Sequence, residues 1–169
     1  GDVLEHLRDP AAALRDVVTL LAPGGKVIIS VPNVAHVDVR LMLLEGRWDY
    51  QGTGLLDSTH LRWFTKASLR ALLDDARLVA TRLERVRIGR YGSDIELDPD
   101  VRRDDVLAFI EADPEAYTFQ FVVEAERRDE TDADDALVDV ATPERPSLDH
   151  AATAHALATE VERLRAHTD

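Results

Sequence analysis

Cysteine is absent from the 169 residues, which excludes disulfides and thiolate metal sites and makes a cytoplasmic location the default expectation. No apolar run approaches the roughly 18 residues that a membrane span requires, so no membrane partner is expected. A signal-peptide pattern is also missing. Neither a glycine-rich phosphate loop nor a G-x-S-x-G elbow occurs. Lysine is scarce: of 20 basic residues only Lys26 and Lys66 are lysine. With abundant Ala and Asp, that bias speaks of a GC-rich or salt-adapted genome and not of chemistry. Positive charge is in short supply overall. The formal net charge of −13 disfavours nucleic acid as a partner, because phosphate binding rests on a cationic surface.

What is present reads as one domain and a tail. Asp9-Pro10 opens a first helix, with a capping side chain followed by proline where its missing N–H costs nothing. Leu14, Val17, Val18 and Leu21 form one stripe, and Pro23-Gly24-Gly25 ends the helix. Val27 to Val31 is a β-branched run suited to a strand buried on both faces, and Pro32-Asn33 stops it. A second helix is expected from about Ala35 to Glu45, with Val37, Leu41 and Leu44 inward. Residues 47–64 are irregular, and a loop of that length inside a compact domain is usually functional. Thr65 caps a third helix carrying Leu69, Leu72, Leu73 and Ala76. A strand follows from Leu78 to about Ile88. Asp98-Pro99 opens a fourth helix with Val106, Phe109 and Ile110 inward, and Tyr117 to Ala125 alternates as a last strand.

This order predicts an α/β sheet covered on both faces over residues 1–128. After Arg128 the composition turns to Asp, Glu, Thr and Pro. Residues 129–147 are expected to be a disordered acidic linker and 148–169 a short C-terminal helix, so that the chain ends in an acidic flexible tail.

Three stretches carry a family resemblance: Asp2-Val3-Leu4-Glu5-His6-Leu7-Arg8-Asp9-Pro10, then Leu21-Ala22-Pro23-Gly24-Gly25, then Val27-Ile28-Ile29-Ser30-Val31-Pro32-Asn33. In order and spacing they resemble the class I S-adenosylmethionine-dependent methyltransferases. His60-Leu61-Arg62-Trp63-Phe64-Thr65 resembles the subfamily often found beside, or fused to, glycosyltransferases. The resemblance implies a Rossmann-like fold truncated to the family's fifth, sixth and seventh strands with their flanking helices. The seventh would be antiparallel and inserted between the other two. The family's N-terminal half, which holds most of the cofactor, is missing, and the chain begins at Gly1 without a methionine. A raw edge is expected where the fourth strand would pair. Where the family has Gly-Phe after the third helix, this chain has Arg77-Leu78.

The resemblance also implies a site. Asp2, Glu5 and His6 would leave a strand together at the carboxyl edge, where open α/β sheets bind ligands, with Asp2 and Val3 toward the cofactor. Some members use an acidic-x-x-Glu-His motif and a distant His to hold a divalent metal against the acceptor hydroxyl. The matching residues are Asp2, Glu5, His6 and His60, with magnesium a candidate ion. A second reading makes His6 or His60 a metal-free general base. A third has Glu5 and His6 merely buttressing the following helix, with His60 a satisfied loop histidine. His36, Arg40, Trp48 and Arg62 are candidates for the acceptor pocket.

The expected function is methyl transfer from S-adenosylmethionine to a hydroxyl of a glycan or small metabolite, once the missing half is present, with a glycosyltransferase as a candidate partner or fusion. The alternatives are a non-catalytic remnant acting as an interaction module and a half-enzyme completed by another chain.

Overall fold

The computed structural model describes residues 2–98 and 104–128. The expected linker over 129–147, the helix over 148–169 and Pro99 lie outside the described residues. A single 3-10 turn, Leu4–His6, precedes helix α1, Pro10–Leu20. Strand β1 (Lys26–Pro32), helices α2 (Val37–Leu44) and α3 (Lys66–Asp75), strand β2 (Leu78–Arg87), helix α4 (Asp104–Glu111) and strand β3 (Thr118–Arg127) follow.

The strands form one sheet in the order β1-β3-β2, and β3 runs antiparallel to both neighbours. The last strand in sequence therefore sits between the first two, as the resemblance implies. Helices α1 and α3 cover one face. Leu14 and Val18 of α1 and Leu69 and Leu73 of α3 meet Val31, Leu83 and Phe121 of the sheet in a single buried cluster. Each helix has a local reason to start where it does. The Asp9 side chain accepts from the Ala12 N–H at 2.9 Å, with Pro10 at the first helical position. Thr65 and Ser68 exchange bonds in a reciprocal capping box.

Among the described residues helices cover one face of the sheet and not both. Ile28, on the face opposite α1 and α3, is 69% exposed; beside it Lys26 pairs with Glu124 at 2.6 Å across the β1–β3 ladder. No strand pairs with the outer edge of β1 among the described residues. Two further expectations change. Val39 and Met42, not Leu44, are buried on α2, and Phe109 of α4 is 80% exposed. Both helices pack at one end of the sheet in small clusters, Val39 and Met42 with Leu55, Leu56 and Ile95, and Val37 with Ile110 and Ala116. These draw on loop side chains that periodicity cannot foresee. Among the described residues no helix is long and apolar enough to cross a membrane.

Asn33 joins β1 to this end of the molecule. Its backbone N–H donates to the Phe119 carbonyl at 2.8 Å, and its buried side-chain amide donates to the carbonyls of Glu115 and Thr118. An isolated parallel bridge to Phe64 extends the path, and the Val34 N–H donates to the Phe64 carbonyl at 2.9 Å. The end of the long loop is thereby tied to the carboxyl end of β1.

Candidate functional site

The turn before α1 and the loop before α3 are fastened by their backbones. The Glu5 carbonyl accepts from the Leu61 N–H at 2.8 Å and the Arg62 N–H at 3.0 Å. That places His60, 55 positions away in sequence, against the Glu5-His6 pair. The donor atoms of Glu5, His6 and His60 all lie within 4.8 Å of one another. The two imidazole rings meet edge to face with centroids 4.9 Å apart. Glu5 and His60 are buried, at 1% and 8% exposure, whereas His6 is partly exposed.

Two atoms in this cluster are incomplete. Glu5 Oε2 and His60 Nδ1 are buried and have no hydrogen-bond partner. A buried polar atom left unpaired costs about 1–3 kcal/mol, so these two atoms are candidates for a further hydrogen-bond partner or ligand.

The loop around His60 is shaped by Asp57. Asp57 Oδ1 accepts from the Thr59 N–H at 2.8 Å and from the Thr59 hydroxyl at 2.6 Å. The His60 N–H donates to the Asp57 carbonyl at 3.0 Å. The hydrogen bonds from Thr59, side chain first and backbone second, hold the Asp57 carboxyl below the usual carboxylate value, and nearby His60 and His6 act in the same direction. His6 Nδ1 is in turn 3.2 Å from both the Thr59 carbonyl and the Thr59 hydroxyl oxygen. Asp57 and Thr59 drew no role from the sequence. The signal available was an Asp two residues before a Thr, a local turn former.

Asp2 does not join Glu5, His6 and His60. It is exposed, adopts a φ of 54° and accepts a bond from Gln120 at 2.8 Å. Val3, 55% exposed, contributes its carbonyl to the 3-10 turn.

Of the acceptor-pocket candidates, His36 needs correction. It is fully buried; Nδ1 accepts from the Asp38 N–H as the cap of α2, and Nε2 donates to the Ile88 carbonyl at 3.0 Å. Both ring nitrogens are spent on structure. Arg40 is likewise engaged, with Nε on the Ala35 carbonyl at 2.6 Å and Nη2 on Asp113. It clamps α2 to the end of α4 and has little left for a ligand. Burial works to raise the Asp113 carboxyl, but the Arg40 and Glu115 donors outweigh it and hold the group below its ordinary value. Arg62 donates to the Arg8 carbonyl and so pins the loop beside the cluster. Trp48 stands edge to face with Trp63 at 5.8 Å and with Tyr50 at 6.4 Å, in an aromatic group at the mouth of the long loop.

Residues 2–82 match a family model described as a methyltransferase domain. A ubiquinone biosynthesis O-methyltransferase from Aeromonas salmonicida (strain A449) is 27% identical over 109 residues, which cover 64% of this chain and 46% of that protein. The chain thus spans less than half the length of the curated relative it matches.

Proposed function

We propose that this chain forms the acceptor side of an S-adenosylmethionine-dependent class I O-methyltransferase, a reading supported by the match of residues 2–82 to a methyltransferase-domain family model and by the likeness to an O-methyltransferase. The reading takes the chain as a truncated Rossmann-like domain whose activity requires the family's N-terminal, cofactor-holding half, on the same polypeptide or on another. The acceptor is the hydroxyl of a small metabolite or glycan. The single observation that carries this is the convergence of Glu5, His6 and His60, with Glu5 Oε2 and His60 Nδ1 buried and unpartnered. The relative's name as an O-methyltransferase supports a hydroxyl as acceptor.

The reaction forms an oxygen–carbon bond to the acceptor and breaks the carbon–sulfur bond of the sulfonium. The hydroxyl proton must leave, and the freed electron pair stays on sulfur. His6, the accessible member of the cluster, takes that proton at the ring nitrogen not facing Thr59. Buried Glu5 and His60 position the acceptor oxygen, since placing reactants in line is most of what a methyltransferase needs from its protein. The donor set of one carboxylate and two imidazoles fits a divalent cation, because two of its buried atoms lack any other partner. In a cation-loaded site Glu5, His6 and His60 would hold the ion, His6 would then be a ligand in place of the base, and an ion such as magnesium would supply Lewis-acid polarisation of the acceptor hydroxyl.

The test is methyl transfer from labelled S-adenosylmethionine to a panel of hydroxyl acceptors by the full-length protein. Glu5→Gln and His60→Ala should each lower kcat/KM by about 100-fold. An unchanged rate in both variants would leave the cluster without a catalytic role. A second reading draws on exposed Ile28 and on the β1 edge that no strand pairs with among the described residues: a non-catalytic interaction half-domain. It predicts a chain that joins a partner through that edge and does not bind S-adenosylmethionine.

A further inference from the structure

Two oxygens of Thr59 face the same nitrogen of His6, and neither can give it a proton. The carbonyl is an acceptor only. The hydroxyl has one proton, and it is spent on Asp57 Oδ1 at 2.6 Å. Asp57 Oδ1 also accepts from the Thr59 N–H at 2.8 Å, so the oxygen facing the hydroxyl is an acceptor in both of its bonds. His6 Nδ1, 3.2 Å from each oxygen, must therefore be the donor. Were it the lone-pair nitrogen, it would face two further lone pairs with no hydrogen between them.

We propose that Asp57 and Thr59 are positioning residues that lock the neutral His6 ring in the Nδ1–H tautomer, leaving Nε2 with the free lone pair. Asp57 acts at one remove: by taking the hydroxyl proton it makes Thr59 an obligate acceptor. The arrangement parallels the outer partners that fix the tautomer of working histidines in general. Its consequence for the chemistry rests on the function proposed above, whether Nε2 takes a proton or binds a cation. The tautomer itself does not depend on that function.

The decisive measurement is nitrogen NMR of the histidine rings in the full-length protein, at a pH where they are neutral, with the His6 signals assigned by their loss in His6→Gln. A pyrrole-type Nδ1 and a pyridine-type Nε2 are expected for His6. The opposite assignment overturns the proposal without any variant of the loop. In Asp57→Ala the Thr59 hydroxyl is free to donate to Nδ1, so the His6 signals should move toward a mixture of the two tautomers. Thr59→Val should lower kcat about 10-fold or more with KM little changed, and Thr59→Ser should restore it. His6 signals and kcat unmoved in both Asp57→Ala and Thr59→Val would overturn the positioning role. The expected tautomer in a protein that methylates no hydroxyl would sink the function and spare this assignment. The opposite tautomer in an active enzyme would do the reverse.

Discussion

Arg77 carries a local backbone cost. Helix α3 ends at Asp75, Ala76 is its cap, and Arg77 follows with a φ of 53°. That is the left-handed position just past a helix where glycine is preferred because it has no Cβ to crowd the carbonyl. The Arg77 side chain is exposed, and its carbonyl accepts from the Arg128 N–H at 2.9 Å, a bond glycine would keep. Arg77→Gly should therefore raise stability by about 0.5–1 kcal/mol, read as a higher denaturation midpoint; a lower midpoint would show that the arginine stem contributes packing. The position was visible in the sequence as a departure from the family's Gly-Phe, although its backbone cause was not. His36 failed in the other direction. It follows a strand like a ligand-binding residue, but its bond to the Ile88 carbonyl depends on where β2 ends, and no local pattern encodes that.

The elements that proved legible are those whose signals are local. Asp9-Pro10 and Thr65 announce helix starts through bonds within three or four residues, and both are present. Removing the second tests how far α3 depends on it. Thr65→Ala loses the bond from the Ser68 N–H and should cost about 1 kcal/mol, measured by chemical denaturation. Loss of only a few tenths would mean that packing of Leu69, Leu72 and Leu73 alone holds the helix. The inward face of α2 was not legible. Its sequence VDVRLMLL is apolar almost all round, so periodicity offers no single stripe, and contacts with Leu55, Leu56 and Ile95 decide that Met42 goes in and Leu44 stays out. The same limit applied to the site. Glu5, His6 and His60 could be named from motifs, but their meeting depends on the Glu5 carbonyl receiving Leu61 and Arg62, a contact between segments more than fifty residues apart.

At the scale of the whole molecule, one buried carboxylate ties the layers together. Glu115, in the turn before β3, receives both Nε and Nη2 of Arg85 from β2, the Thr118 hydroxyl at 2.8 Å and Lys66 from the start of α3 at 3.1 Å. Burial acts to raise its carboxyl, but the Arg85, Thr118 and Lys66 donors outweigh burial, and the group is held below its ordinary value of 4.5. The sign of the linkage follows. A carboxyl whose folded value lies below its unfolded one contributes stability that is fully present above the unfolded value. That contribution is lost as pH falls from about 4.5 through the folded value. Glu115→Gln leaves Arg85 and Lys66 facing an uncharged amide and should cost roughly 2 kcal/mol at pH 7. Because the amide does not titrate, the gap between wild type and variant should narrow once the pH drops below 4.5. Denaturation curves at pH 7 and pH 3.5 decide it. A gap of the same size at both would mean that Glu115 acts through shape and hydrogen bonding alone, and that acid sensitivity has its origin in another carboxylate, with Asp113 on Arg40 the next to replace.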